Sequence, residues 1–139
     1  MLRSLLQTVL VAVIAVSTAH AQYAAPAPAP AAASPGIKRT ILQRVEIPGT
    51  NFETVLAVAE IAPGVNAGRH THPGPETGTV TDGEIVLMID GQPDKPLKLG
   101  DSYQIPAGTV HDVKTVGGAA KVVAAYMVPK GMPLAAPAK

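Results

Sequence analysis

Three histidines and one glutamate carry the chemistry available to this chain. His70 and His72 stand as His-x-His. On an extended strand, residues two apart point to the same face, so two imidazoles at this spacing can converge on one cation. Glu76 follows after Pro73-Gly74-Pro75, a stiff turn that can return a carboxylate to the same side. Two nitrogens and one oxygen with positions left open suit a transition metal. Taken alone, His-x-His also fits two solvated surface side chains, and Glu76 a solvated carboxylate. His111 is the third histidine of the same region, and His20 stands apart near the N-terminus. Other side chains that could position a substrate are few: Arg69, Tyr103, Gln104 and Lys114. Arg69 is a candidate anchor for a substrate anion, although strand alternation turns it away from the side of His70. Tyr103 either caps a cavity, donates to bound oxygen or simply packs. Met88 reads as core rather than ligand. The absence of cysteine excludes disulfides, thiolate zinc sites and cysteine nucleophiles. No serine triad, phosphate loop or second carboxylate pair is present to support a hydrolase or kinase.

These residues must be held by strands. Apolar residues show little helical spacing but clear alternation, as in Phe52, Thr54, Leu56 and Val58 against Glu53, Val55, Ala57 and Ala59. Further strand-like runs cover 40–47, 77–81, 84–89, 102–105, 110–116 and 121–128. Turn pairs separate them: Pro48-Gly49, Pro63-Gly64, Asp82-Gly83, Asp90-Gly91, Gly100-Asp101 and Gly117-Gly118. Asp-Gly between β-rich runs is a hairpin signal, because both central turn positions favour positive φ. About seven short strands at this spacing predict an all-β sandwich or barrel.

The two ends differ in composition from the middle. Leu5 to Val16 is a mostly apolar run after Arg3, and Ala19-His20-Ala21 is a small-x-small cleavage pattern. Residues 1–21 therefore read as a secretory signal peptide, with Gln22 the first mature residue and a periplasmic or secreted destination. The alternative, an uncleaved anchor, would need roughly 18–20 apolar residues. Residues 22–36 form an Ala/Pro-rich linker that favours extended chain. Residues 37–130 form the domain, and the Ala/Pro-rich tail at 131–139 is expected to fray. The 139 residues hold 11 Lys and Arg against 10 Asp and Glu, a formal charge of +1, with 3% aromatics. Such a balance excludes an electrostatic nucleic-acid binder, and the few aromatics argue against stacking on single-stranded bases. After signal cleavage no membrane partner is expected. A small molecule is the expected partner, and the run at 40–47 is a candidate surface for a homodimer.

Residues 64–83 read GVNAGRHTHPGPETGTVTDG, and residues 100–115 read GDSYQIPAGTVHDVKT. In the first, Gly64 precedes His70-x-His72 by five residues, three more lead to Glu76 and six more to Gly83. In the second, Gly100 precedes Pro106-x-Gly108 by five residues, and two more lead to His111. With these two motifs in this order the chain resembles the cupin superfamily over about 41–128. The resemblance implies a small antiparallel β-barrel or jelly roll with a double-stranded β-helix topology. It also implies one divalent transition metal (iron, manganese, nickel, copper or zinc) held by His70, His72, Glu76 and His111. Gly64, Gly83, Gly100 and Gly108 would serve tight turns, and Pro106 would fix the approach to His111. The sequence departs from the family pattern at Thr115, where Asn is usual, at Thr79, where an aromatic is frequent, and at Thr81, where Leu is common. Smaller residues at 79 and 81 are expected to widen the pocket. Oxygenase-like chemistry on a small organic substrate follows by resemblance, with Glu76 as ligand and proton acceptor. A metal-dependent binding or sensing module without turnover and a purely structural metal site stay open beside it.

Overall fold

The computed structural model describes residues 35–138; the expected signal peptide and most of the linker lie outside the described residues. Ten strands follow in order: β1 (Ile37–Glu46), β2 (Phe52–Ile61), β3 (His70–Thr71), β4 (Glu76–Asp82), β5 (Glu84–Ile89), β6 (Lys95–Lys98), β7 (Ser102–Ile105), β8 (His111–Thr115), β9 (Ala120–Pro129) and β10 (Ala136–Pro137). They form two five-stranded antiparallel sheets, ordered β1-β2-β9-β4-β7 and β10-β3-β8-β5-β6. This is the all-β double-sheet architecture expected of a cupin.

Period-two alternation decides which side chains meet between the sheets. On β9, Ala120, Val122, Ala124, Tyr126 and Val128 are buried, while the residues between them are more exposed. On β2 the inward set is Glu53, Val55, Ala57 and Ile61, and Phe52 is exposed. Val80, Ile85, Leu87, Leu97 and Ile105 complete the apolar core from the other strands. Each such aliphatic side chain contributes about 1.5–3 kcal/mol when fully buried. The ten-residue register between β2 and β9, from Phe52–Pro129 to Ile61–Ala120, is the longest uninterrupted ladder in the fold.

Three short strands were not legible in the periodicity. β3 has only two residues. β6 contains Pro96, which cannot donate to a ladder, and accordingly β6 is an edge strand. β10 lies in the segment expected to fray; instead Ala136 and Pro137 pair with Thr71 and His70, and Leu134 is buried in the core. A segment with no periodicity of its own is fixed here by one large apolar side chain and a sheet edge.

Asp82-Gly83 also departs from expectation. The pair joins β4 and β5, which lie in different sheets, so it is a crossing between layers rather than a hairpin. Gly83 has φ +69°, and a Cβ there would stand 2.2 Å from the Ala119 carbonyl oxygen, so the close approach of two backbones requires glycine. Asp90-Gly91 does join paired strands, β5 and β6.

Candidate metal centre

His70 and His111 are direct cross-strand partners on β3 and β8, with ring centroids 4.2 Å apart. His72, two residues beyond His70, lies on the same side, its ring 4.9 Å from that of His70. One side-chain nitrogen from each of the three lies within 4.8 Å of the others. The Pro73-Gly74-Pro75 turn carries the chain to the facing sheet, where Glu76 opens β4. Its Oε2 stands 2.8 Å from His72 Nε2 and 3.7 Å from His111 Nε2. The three imidazoles thus converge on one sheet, and Glu76 reaches two of them, His72 and His111, from the facing one.

Each imidazole is oriented through its other nitrogen. Nδ1 of His70 lies 2.7 Å from the Gly68 carbonyl, that of His72 2.5 Å from Leu134, and that of His111 2.9 Å from Thr109. A carbonyl only accepts, so each Nδ1 donates, which leaves Nε2 as the atom that can turn to a metal. His72 Nε2 is buried without a hydrogen-bond partner although Glu76 Oε2 is close. At 2.8 Å the two atoms call for a positive charge between them, a proton or a metal ion. Donors bonded to one ion at about 2.0–2.2 Å stand roughly 3–4 Å apart, and the donors here lie 2.8 and 3.7 Å from Glu76 Oε2 and within 4.8 Å among the histidines. The three histidines could therefore hold a metal ion, and the donor chemistry fits one.

The electrostatics agree. Burial pushes the His70 imidazole down to about 4, with smaller contributions from His111 and His72, so it is neutral at ordinary pH. For Glu76, burial raises the carboxyl, but contacts with His111 and His72 and the hydrogen bond from Tyr103 outweigh it and hold the group well below the usual carboxylate range. The Tyr103 hydroxyl donates to Glu76 Oε1 at 2.8 Å. Its ring lies over Gly78, its partner across β4 and β7, where a Cβ would meet the ring at 2.5 Å. Gly78 thus provides the space through which Tyr103 reaches Glu76.

The cavity beside these groups is about 40 Å³. It exists because Ala59, Ala67 and Ala124 line it where larger side chains would fill it. Two further polar residues border it that the sequence did not single out, Arg39 on β1 and Tyr126 on β9. Both sit on the inward parity of their strands, as in Ile37-x-Arg39; a charge among alternating apolar residues was the available signal.

The other candidates fall outside. Arg69 forms a two-pronged ion pair with Asp90, 2.7 and 2.5 Å, at the surface, so it is not an anion anchor. Gln104 is exposed, and neither Lys114 nor Met88 borders the cavity. Thr79 and Thr81 do not border it either, so the departures there do not widen it. Thr115 is buried and its hydroxyl donates to the Ala62 carbonyl, a structural role.

Comparison with known proteins agrees with this geometry. The chain is 44% identical over 66 residues to the HTH-type transcriptional regulator PuuR of Escherichia coli (strain K12), covering 46% of this chain and 35% of that protein. It thus spans about a third of the length of the curated relatives it matches. Among solved structures, an uncharacterised double-stranded β-helix protein from Klebsiella pneumoniae is 27% identical, with TM-score 0.60, covering 78% of this chain and 90% of that one. An oxalate oxidase structure is 25% identical, with TM-score 0.59, covering 75% of this chain and 56% of that one. The family model described as Cupin domain matches residues 57–128, which include all three histidines and Glu76. The chain belongs to the cupin family.

Proposed function

We propose that this protein is an exported cupin holding one divalent transition metal on His70, His72, Glu76 and His111, where it receives a small organic molecule. The observation that carries this reading is the convergence of three imidazoles whose Nδ1 atoms are all tied to backbone carbonyls, with His72 Nε2 left unpartnered beside Glu76. When bound, the metal supplies Lewis acidity and open coordination positions. The residues of the chain then have distinct tasks. The imidazoles stay oriented through their Nδ1 bonds. Glu76 stays ionised, the form that ligates and accepts a proton, and Tyr103 donates its hydroxyl proton to it. The apolar wall of Ile37, Ile61, Leu87, Ile105 and Val113 limits the entry of water. Oxygenase-like turnover is the catalytic form of this reading, and the likeness to an oxalate oxidase supports it. The second reading is binding or sensing without turnover, favoured by the similarity to a transcriptional regulator and by the few polar groups beyond the ligands.

Elemental analysis of the mature chain from its native compartment tests the metal, and intact mass tests whether it begins at Gln22. One equivalent of metal is expected; a metal-free chain that takes up none on incubation would refute the assignment. Oxygen uptake with phenols, thiols or diketones supports the oxygenase form, whereas retention of an unchanged molecule supports sensing.

A further inference from the structure

The wall opposite the histidines carries a charge that metal binding does not use. Arg39 points inward from β1, where it pairs with Ala59 on β2. Its side chain borders the same cavity as the three histidines and Glu76. Its Nε is buried and, among the described residues, has no hydrogen-bond partner. A buried, unpartnered guanidinium donor costs free energy unless a ligand satisfies it. Tyr126 borders the cavity beside it, its hydroxyl close to both Glu76 and Arg39.

Charge balance points the same way. A divalent cation held beside one carboxylate would leave one positive charge, and Arg39 adds another. Two uncompensated positive charges in a largely apolar enclosure attract an anion strongly. Guanidinium presents planar paired donors that match a carboxylate. Space limits the choice, since about 40 Å³ accommodates the equivalent of roughly three waters. We propose that Arg39, with Tyr126 beside it, is the anion-binding wall of this pocket, and that the ligand is a small carboxylate spanning from the metal site to the Arg39 guanidinium. This inference rests on the metal-holding reading above and adds the ligand class to it.

The test uses the full mature chain loaded with Co²⁺, with metal content measured in every sample. Acetate and glycolate are titrated against the neutral analogues acetamide and ethylene glycol, by calorimetry and by the visible spectrum of the Co²⁺. Carboxylates are expected to bind and perturb the spectrum, and the neutral analogues to bind at least about tenfold more weakly, as loss of a charge-assisted bond dictates. Arg39→Gln is expected to weaken glycolate by at least about tenfold at unchanged metal content, and Arg39→Lys to weaken it less, by keeping charge without the fork. Circular dichroism confirms folding of each variant; if Arg39→Gln fails to fold, the native carboxylate preference and Arg39→Lys decide. Full metal with no preference for carboxylates, or a folded Arg39→Gln that binds glycolate as tightly as native, would overturn the anion site alone. A native chain that holds no Co²⁺ would overturn the metal reading and this inference with it.

Discussion

His72 is held from both nitrogens. Its ring is 2% exposed, Nδ1 is tied to Leu134, and Nε2 faces Glu76. His72→Ala is expected to abolish stoichiometric metal uptake, as read by elemental analysis. It should leave the barrel folded in the metal-free state, because the fully buried side chains Val55, Val80, Ile85 and Val128 remain in place. The Leu134 carbonyl loses its partner, so a cost of about 1–3 kcal/mol in a urea melt is expected. Unchanged metal content in this variant would remove His72 from the ligand set. At this scale the sequence was legible where spacing alone fixes direction: two histidines two residues apart on an extended chain share a face whatever surrounds them. Arg39 was not legible, because its inward direction depends on which parity of β1 the β2 hairpin turns toward the core. Arg69 looked better placed by proximity to His70, but Asp90, distant in sequence, takes both its prongs.

The elements that hold the site are of unequal length. β2 and β9 run ten residues each in continuous register, whereas β3 and β10 have two each. The long strands were visible as alternation. The short ones carry too few residues to show a period, and their places are fixed by partners: β3 by β8 and β10, β10 by β3. Stopping the chain after Lys130 removes β10 together with buried Leu134 and its carbonyl. The shortened protein is expected to keep its β circular dichroism but bind metal at least about tenfold more weakly, since a hydrogen-bonded partner of a ligating imidazole typically contributes 10–100-fold. Equal affinity in full and shortened chains would show that Leu134 does not orient His72.

For the whole molecule, acid sensitivity follows from groups buried between the sheets. His70 titrates near 6.5 when unfolded and about 4 when folded, chiefly because of burial. Between those values the unfolded chain binds the extra proton, so stability is present above about 6.5 and is lost as pH falls toward 4. Glu76, held low by the surrounding histidines and Tyr103 after burial is outweighed, adds a loss of the same sign below its ordinary 4.5. Urea midpoints of the metal-free protein should be level above pH 7 and decline steadily below it; a midpoint rising on acidification would contradict the buried neutral imidazole. The His72–Leu134 contact joins residues 62 apart in sequence. At about 5–20 residues per second, the ribosome needs roughly 3–12 seconds to make the atom that aims the ring after making the ring itself. During that interval a nascent chain presents its histidines before the carbonyl that orients His72, so an ion held as proposed would be captured late in maturation rather than seed folding.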